Sequence, residues 1–337
     1  MQASNSIELS PLAADVLTGL SGTPKHLSSR YFYDDEGSRL FMEIMKLPEY
    51  YPTRAEMKIF TEQKDAICEA FTECKHSSPQ TVEESDTNVR VPIDLIELGA
   101  GDGLKTAVLI EHLLATGVDF RYEPIDISQE ANDALSARFR EKFPALRIEP
   151  HTGDYFTVLD SLKSNNGRRK VILFLGSNIG NFLRDKAVAF FRSLREVMNE
   201  NDRLFVGFDM QKDPRTIVAA YDDPQGVTAA FNLNLLTRIN RELGGDFDLS
   251  KFSHYAQYRP MECAARSFLI SREHQSVSVE ALGRTFEFEQ WEPIFMEISQ
   301  KYTHAMIDEL ARDGGFEIAQ EFYNGEDFYI DSLWKPV

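Results

Sequence analysis

Three closely spaced glycines follow a short apolar segment and give this chain its clearest chemical signal. The segment Ile93–Leu98 runs directly into Gly99, Gly101 and Gly103, and Glu97 places a carboxylate near its end. Glycine permits positive φ angles and lets a backbone approach a ligand closely, and a helix that begins after such a turn favours an anionic or nucleotide-like group. The pattern therefore predicts a cofactor-binding loop that includes Glu97, Gly99 and Gly101.

The glycine spacing separates two classes of cofactor. A dinucleotide fingerprint, G-x-G-x-x-G, needs its third glycine for close packing of helix against strand. Counted from Gly99 and Gly101, that position holds Leu104, so a nicotinamide oxidoreductase is the weaker hypothesis. The form that remains, E-x-G-x-G-x-G, resembles motif I of the S-adenosylmethionine-dependent methyltransferases. A glycine-rich turn without a ligand remains an alternative at this point.

Polar residues at the ends of the next predicted strands suit the other parts of such a cofactor. Asp126 ends the second strand, where a carboxylate accepts hydrogen bonds from ribose hydroxyls; helix capping is the alternative role, but Ser128 suits it better. Asp154 and Tyr155 follow the third strand and are expected on the adenine side. Lys105, in the first turn after the glycine loop, is either solvated or meets the cofactor's carboxylate.

The fourth predicted strand ends in a turn rich in glycine and asparagine. Between Phe174 and Phe182 the chain contains Gly176, Asn178, Gly180 and Asn181. The carboxyl edge of an open α/β sheet is the place where such folds bind ligands. This turn is therefore a further candidate for ligand binding.

Strands and helices alternate through the middle of the chain. The predicted strands are Ile93–Leu98, Phe120–Ile127, Arg147–Pro150, Val171–Leu175 and Leu204–Asp209, and the predicted helices are 104–116, 129–142 and 184–198. This alternation predicts an α/β fold with a doubly wound, mostly parallel sheet. Val171–Leu175 is apolar throughout, as a central strand buried on both faces must be.

The alternation breaks between Gln211 and Ser299, where a long helix at 226–243 is followed by segments of alternating polarity at Ser276–Ala281 and Thr285–Glu289. This segment predicts an inserted second lobe. After it, a helix at Thr303–Arg312 precedes two closing strands, and a sheet finished by such a pair is typical of the methyltransferase fold. Their predicted bounds are Phe316–Tyr323 and Phe328–Trp334.

The N-terminal part holds a helix at Leu9–Leu20 and then an unusual number of tyrosines near prolines, which suggests a segment that lines a site. From Thr53 we expect a helix with Phe60, Ile67 and Phe71 on one face. Residues 72–90 are polar and predict a surface loop or local disorder. The predicted domains are thus a cofactor-binding domain, 54–212 with 300–337, and an α+β substrate-binding lobe, 1–53 with 213–299.

Composition narrows the classes of partner. The 337 residues include 54 acidic and 36 basic side chains, and the formal charge of −18 would repel nucleic acid and anionic membranes. Three cysteines without C-x-x-C spacing indicate neither a disulfide framework nor a zinc site, so no metal is expected and a reducing cytoplasm fits best. No signal peptide and no apolar run of about 18 residues is found. We expect a cytoplasmic monomer that acts on a small molecule.

The chain resembles the histidine N-alpha-methyltransferase family, whose bacterial members make hercynine from histidine in ergothioneine biosynthesis and whose fungal relatives methylate prenylated tryptophan. The most specific matches are Leu47-Pro-Glu-Tyr-Tyr-Pro-Thr-Arg54 and Gly226-Val-Thr-Ala-Ala-Phe-Asn232. Further matching pieces are Leu20–Lys25, Phe32–Asp34 with Gly37 and Ser38, Glu97–Gly101 with Lys105 and Thr106, Gly153 and Asp154, Phe174–Ser177 with Ile179–Asn181, Ala220–Asp223, Asn240–Leu243 and Glu297–Ser299.

The resemblance implies a class I methyltransferase fold, S-adenosylmethionine as methyl donor and an amino acid as substrate. It implies that the cofactor is held at positions that match Gly99, Lys105, Asp126, Asp154 and Tyr155. It also implies substrate contacts at Tyr50, Gly176, Asn181 and Tyr221, with Tyr33 near the amine as the catalytic candidate and Glu297 and Ser299 at an imidazole ring. Without the resemblance, Glu297 and Ser299 would be interpreted as an ordinary exposed strand face.

The chain also departs from the family pattern. Ser267 stands where the histidine enzymes have a pocket methionine, and Asn178 stands where a threonine is usual. A smaller, more polar wall at Ser267 would admit a different or larger side chain. Histidine is the favoured substrate because Glu297 restricts the choice more than one apolar contact does. The alternatives are a sibling enzyme for tryptophan, prenylated tryptophan or tyrosine, and a non-catalytic cofactor-binding regulator.

Overall fold

The computed structural model of the protein describes residues 9–73, 90–153, 155–161 and 167–337. Asp154 and most of the polar stretch 72–90 lie outside the described residues. The chain divides into two compact units, one formed by Met1–Tyr51 and Lys212–Gln300 and the other by Pro52–Gln211 and Lys301–Val337. The domain bounds expected from the sequence differ from these by one or two residues.

The unit formed by Pro52–Gln211 and Lys301–Val337, here called the sheet unit, is built around one mixed sheet. In the described residues its strands are β1 (Ile93–Leu98), β2 (Phe120–Asp126), β3 (His151–Thr152), β4 (Arg169–Phe174), β5 (Arg203–Asp209), β11 (Phe316–Tyr323) and β12 (Tyr329–Pro336). The sheet order is β11-β12-β5-β4-β1-β2-β3, and β12 alone among these strands runs antiparallel to both of its neighbours. The predicted doubly wound, mostly parallel fold of class I methyltransferases is confirmed.

Helices cover both faces of this sheet. They are α3 (Tyr51–Thr72), α4 (Leu104–Ala115), α5 (Gln129–Lys142), α6 (Tyr155–Ser161), α7 (Arg184–Val197) and α10 (His304–Gly314). Every residue of β1 is buried, and its side chains alternate between the two cores: Ile93 and Leu95 pack on one side of the sheet, Ile96 and Leu98 on the other. A strand covered on both faces is mostly apolar, and four of the six residues of β1 and of β4 are apolar, which explains why both strands could be predicted from the sequence.

The expected elements agree with the structure except at the third strand. Arg147–Pro150 was expected to be that strand, but Ile148 forms only an isolated bridge to Tyr122, and β3 comprises His151–Thr152. The apolar residues of the expected segment pack as a loop instead: Leu146 and Ile148 are buried in the core beside α5. A short strand at the edge of a sheet pairs with only one neighbour and needs few apolar residues, so the hydrophobic pattern of the sequence did not locate it.

The unit formed by Met1–Tyr51 and Lys212–Gln300, here called the second unit, has its own core. Its helices are α1 (Pro11–Ser21), α2 (Asp35–Ile44), α8 (Pro214–Tyr221) and α9 (Val227–Leu243). Its strands are β6 (Phe252–Arg259), β7 (Ala264–Ser271), β8 (Gln275–Val279), β9 (Arg284–Phe288) and β10 (Pro293–Gln300). They form an antiparallel sheet of order β10-β7-β6 and a β8-β9 hairpin. The α+β character expected for the inserted lobe is present.

The chain leaves and re-enters the sheet unit at one place. Met210, just past β5, forms a parallel bridge with Tyr302, and the Gln211 amide donates to the Tyr302 carbonyl at 2.8 Å. The Tyr302 amide in turn donates to the Asp209 carbonyl at 2.9 Å. The two ends of the long segment 212–300 are therefore held side by side by backbone hydrogen bonds within the sheet unit.

Gly103 allows the end of the glycine loop to pack closely against α5. It precedes α4 with a φ of 63°, and a Cβ there would lie 2.6 Å from both Leu135 Cδ1 and Phe139 Cζ on α5. Both side chains are buried, and Phe139 stacks on Tyr122, so neither has room to move away. Gly103 stands one position before the place of the third glycine in the dinucleotide pattern, and it lets the loop approach α5 closely.

We predict that Gly103→Ala lowers the free energy of unfolding by roughly 2–5 kcal/mol, because strain at positive φ adds to overpacking. The matched control is Gly117→Ala, where φ is 68° but a Cβ meets nothing within 4 Å. The control should cost only about 1–2 kcal/mol. Urea unfolding of the two variants would measure the difference, and equal losses would show that Gly103 packing is unimportant.

Candidate active site

The candidate cofactor site lies at the carboxyl edge of the sheet, where the strand order reverses. β1 pairs in parallel with β2 on one side and with β4 on the other. The loops that follow these strands therefore emerge at the same edge, at the topological switch point where open α/β sheets bind ligands. The glycine loop, Asp126 and the Gly176 turn all lie on these loops, as expected from the sequence.

The glycine loop is shaped to admit a ligand. Gly99 and Gly101 have φ angles of 71° and 56°, and a Cβ added at Gly101 would meet nothing within 4 Å. A Cβ added at Gly99 would lie 2.8 Å from the Tyr155 hydroxyl and 4.0 Å from Asn178 Nδ2. The structure thus brings together Tyr155, from the start of α6, and the loop with which the sequence associated it.

Glu97 supports this loop from within the protein. Its side chain is buried; Oε1 accepts a hydrogen bond from the Thr106 hydroxyl at 2.7 Å and Oε2 accepts one from the Tyr122 hydroxyl at 2.5 Å. Burial raises the pKa of Glu97 to about 7, against the opposing effect of these two hydrogen bonds. Both oxygens are engaged by protein donors, so Glu97 fixes β1 relative to α4 and β2, while its direct contact with a cofactor stays a prediction.

Asp126 stands at the end of β2 with a partly exposed carboxylate. Its Oδ1 accepts a hydrogen bond from the Ser128 amide at 2.9 Å, and burial raises its pKa although the backbone amides of Ser128 and Ile127 oppose this. Ser128 itself caps α5, accepting from the Ala131 amide at 3.2 Å, as predicted, while the ribose role of Asp126 stays a prediction. Ile127 is 82% exposed, so an apolar surface lies beside the ribose candidate.

Lys105 lies against the turn that follows β4. Its ammonium forms an ion pair with Glu56, a fully buried carboxylate on α3. A Cβ added at Gly176 would lie 3.4 Å from Lys105 Nζ, so the ammonium lies close to the backbone of this turn. Burial favours a lower pKa for Lys105, but the charge and hydrogen bond of Glu56 outweigh it and the pKa is raised. Lys105 is therefore a charged, paired side chain and not a freely solvated one.

Asn181 ends the short 3-10 helix Asn178–Asn181 in the same turn. The turn is fixed from two sides: the Ser177 hydroxyl accepts from the Asp209 amide at 3.0 Å, and the Tyr302 hydroxyl donates to the Ile179 carbonyl at 3.2 Å. Ser177 has a φ of 55°, which a non-glycine residue adopts at a cost. Asn181 itself is half-buried.

In the second unit, two of the expected substrate residues share one aromatic cluster. Tyr33 packs edge to face on Phe41 and Phe231, with ring centroids 5.4 and 5.6 Å apart, and Tyr50 packs on Phe41 at 6.1 Å. Tyr33 is 46% exposed although its ring is fixed by these neighbours. A partly exposed tyrosine whose ring is fixed by its neighbours suits a residue that contacts a ligand.

The remaining substrate candidates lie on the β10-β7-β6 sheet. Glu297 on β10 pairs directly with Ser267 on β7, next to a β-bulge that begins after Phe295. The Tyr221 hydroxyl, at the end of α8, donates to Ser299 Oγ at 2.6 Å. Ser267 and Ser299 are buried and Glu297 is half-buried, so these residues do not form an ordinary exposed strand face.

Sequence reasoning missed two buried polar residues. Glu56 lies four residues before Phe60 on the apolar face of α3, and a carboxylate at such a position was a detectable signal. His254 lies on β6 two residues before Ala256, the partner of Ser267, and therefore on the same face of the sheet. Its ring is buried, its Nε2 has no hydrogen-bond partner among the described residues, and burial lowers its pKa despite Asp222 and Asp223.

Comparison with known proteins agrees with this geometry. Residues 12–336 match the family model described as histidine-specific, S-adenosylmethionine-dependent methyltransferase. The chain belongs to this family. The methyltransferase is thus an enzyme that uses S-adenosylmethionine, and the nicotinamide and non-catalytic hypotheses are set aside.

Individual relatives of the methyltransferase carry related names. It is 37% identical over 304 residues to the histidine N-alpha-methyltransferase of Mycobacterium tuberculosis, covering 90% of this chain and 88% of that protein. The enzyme of the same name from Mycolicibacterium smegmatis is 36% identical over the same shares of the two chains. Ergothioneine biosynthesis protein 1 of Schizosaccharomyces pombe is 28% identical over 88% of this chain and 37% of that protein.

The residues at the sheet edge fit S-adenosylmethionine. A loop without side chains at Gly99 and Gly101, a carboxylate at Asp126 and a largely buried ammonium at Lys105 suit a nucleoside joined to an amino acid. Asp154, expected on the adenine side, lies outside the described residues. In the described part of the chain, no group of three or more His, Cys, Asp or Glu residues is arranged to hold a metal ion, and no helix there is long and apolar enough to cross a membrane.

The raised pKa of Glu97 predicts a pH dependence of stability. The folded protein retains the Glu97 proton up to about pH 7, whereas the unfolded chain loses it near the ordinary pKa of 4.5, so this residue makes the fold less stable as the pH rises through that window. The effect amounts to at most about 3 kcal/mol. Glu97→Gln should lack it, and urea unfolding at several pH values between about 5 and 7.5 would measure it. A constant stability difference between wild type and variant across that range would contradict the assignment.

Proposed function

We propose that the methyltransferase transfers methyl groups from S-adenosylmethionine to the α-amine of L-histidine, up to the trimethylated betaine hercynine. The main support for histidine as the substrate is a pair of polar residues on the β10-β7-β6 sheet. Glu297 and Ser299 are two residues apart on β10, and Ser299 is hydrogen-bonded to Tyr221. The names of the mycobacterial and yeast relatives support histidine as substrate and ergothioneine biosynthesis as the pathway.

The residue types at these positions suit an imidazole. A half-buried carboxylate such as Glu297 accepts a hydrogen bond from a ring N–H, and the Ser299 hydroxyl donates to or accepts from the other ring nitrogen. An apolar ring in the same place would leave these polar groups unpaired at a cost in binding free energy. Histidine is therefore the aromatic amino acid that the pair favours.

The chemistry requires positioning more than acid–base catalysis. When bound, S-adenosylmethionine supplies a methyl group on a sulfonium that reacts by in-line displacement. The protein must hold the neutral amine lone pair in line, and positioning of this kind contributes several kcal/mol to rate acceleration. In this proposal Tyr33 stands near the amine, while Tyr50, Asn181 and Tyr221 hold the rest of the amino acid and Gly176 leaves room at the turn.

The cofactor assignments belong to the same proposal. Gly99, Gly101 and Tyr155 lie against the adenosine part, Asp126 accepts from the ribose hydroxyls, Asp154 serves the adenine, and Lys105 faces the carboxylate. Glu97 contributes to cofactor binding indirectly, because it fixes the glycine loop. Support comes from the position of the described residues at the switch point and from the paired ammonium of Lys105.

Ser267 supports a second candidate substrate. It pairs with Glu297 in the sheet and is smaller than the methionine expected from the family pattern, from which we infer space for a larger substrate beside the charged residue. A larger aromatic amino acid, such as tryptophan, prenylated tryptophan or tyrosine, would gain from that space. It would still have to satisfy Glu297, which makes histidine the first choice.

Location and assembly complete the proposal. We place the enzyme in the cytoplasm as a monomer acting on a small molecule, not on nucleic acid or a membrane. The two described cysteines, Cys68 and Cys263, have free thiols, which suits a reducing compartment. Burial raises the pKa of the Cys68 thiol to about 12, so this thiol is unreactive.

We predict that Glu297→Ala weakens histidine binding by about tenfold or more, because a buried hydrogen bond to a charged group is lost, and leaves S-adenosylhomocysteine binding unchanged within about twofold. Isothermal titration with each ligand, histidine being titrated in the presence of S-adenosylhomocysteine, measures both affinities. Glu287→Ala is the matched control, since Glu287 is an exposed strand residue on β9. Equal losses for both ligands would mean that Glu297 is structural.

We predict that Ser267→Met raises the preference for histidine over tryptophan by about tenfold, the scale at which a hydrophobic pocket discriminates. Mass spectrometry of products formed from an equimolar mixture of amino acids gives the ratio directly. Ser278→Met, on the exposed side of the β8-β9 hairpin, is the control. A wild-type enzyme that already rejects tryptophan and tyrosine completely would contradict the widening role of Ser267.

A further inference from the structure

Glu56 is the centre of a buried polar cluster in the sheet unit. Its side chain, on α3, is fully buried. Its Oε1 accepts hydrogen bonds from the Gly176 amide at 2.8 Å and the Tyr329 hydroxyl at 2.9 Å, and Oε2 is paired with the Lys105 ammonium. Four separate segments of the chain thus meet at one carboxylate.

The surroundings of Glu56 supply both of its oxygens with hydrogen-bond donors. A buried carboxylate is costly unless it is paired and hydrogen-bonded, and here the two oxygens meet three donors, one of them charged. Gly207 on β5 makes room for it, since a Cβ there would lie 2.5 Å from both Glu56 Oε1 and the Tyr329 hydroxyl. Burial, and after it the charge of Glu56, raises the pKa of nearby Asp331 well above its ordinary range.

The cluster connects the two loops at the carboxyl edge of the sheet, where the cofactor is proposed to bind; this edge is here called the cofactor edge. Lys105 belongs to the helix that follows the glycine loop, and Gly176 belongs to the turn after β4. An ammonium has three donors and Glu56 engages one of them. Lys105 Nζ lies 3.4 Å from where a Gly176 Cβ would stand, so the ammonium lies beside the turn.

From these contacts we propose that Glu56 is a positioning residue for cofactor binding: it holds the Lys105 ammonium against the Gly176 turn so that the ammonium donates to the carboxylate of the cofactor's amino-acid part. This inference rests on the proposed contact between Lys105 and the carboxylate of S-adenosylmethionine. Glu56 cancels the charge of Lys105, so the site selects a carboxylate through a directed hydrogen bond and not through excess positive charge. It also sets the backbone of the turn that leads to Asn181.

The test compares two ligands that differ in the part Lys105 would contact. S-adenosylhomocysteine carries the amino-acid carboxylate, whereas 5′-methylthioadenosine lacks it. Glu56→Gln should weaken S-adenosylhomocysteine binding by about tenfold and change methylthioadenosine binding by less than about twofold, as measured by isothermal titration. Asp126→Ala is the opposite control, because loss of a ribose contact should weaken both ligands. Equal losses for both ligands in Glu56→Gln would overturn the proposal.

A double-mutant cycle separates positioning from a structural role. If Glu56 acts through Lys105, adding Glu56→Gln to Lys105→Met should cause no further loss of S-adenosylhomocysteine affinity. Additive losses would overturn the proposal. Should Glu56→Gln fail to fold, Tyr329→Phe removes one donor to the same carboxylate and should produce a smaller loss confined to S-adenosylhomocysteine; an unchanged ratio of the two affinities would then overturn it. A wild-type protein that binds neither ligand would instead reject the proposed function.

Discussion

The cofactor edge depends on a buried carboxylate held by donors from two different elements. Glu97 sits at the end of β1 and accepts hydrogen bonds from Thr106 on α4 and Tyr122 on β2. The glycine loop between β1 and α4 has few side chains of its own to define its shape. The hydrogen bonds of Glu97 hold the end of β1 at a fixed distance from α4 and so fix the two ends of the loop. Glu56 likewise fixes the position of the neighbouring Lys105 through their ion pair.

The sheet and its binding edge could be predicted from sequence because their constraints are strong and local. β1 and β4 are covered on both faces, so apolar residues dominate them, and glycines mark the turn where the backbone must adopt positive φ. Ser128 was correctly predicted to cap α5, which leaves the Asp126 carboxylate for the edge. These features can be recognised from short stretches of the sequence alone.

What escaped prediction depends on contacts distant in sequence. The two-residue strand β3 has a single partner and carries little apolar signal. The partners of Glu56 could not be predicted, because one of them, the Tyr329 hydroxyl, lies 273 residues away. The polar pair Glu297 and Ser299 was recognisable only by resemblance, since its burial follows from β7 and α8 packing on the same sheet.

The closure at Met210 and Tyr302 bears on how such a chain can change over evolution. Backbone hydrogen bonds within the sheet unit already hold the two ends of segment 212–300 together. The entropic cost of closing this loop is therefore offset by contacts of the sheet unit itself. The inserted segment can then vary in length and composition without disturbing the pairing of β5 with β12. In the proposed function, selection for a new amino acid acts on residues of this segment such as Ser267, while the residues proposed to hold the methyl donor belong to the sheet unit.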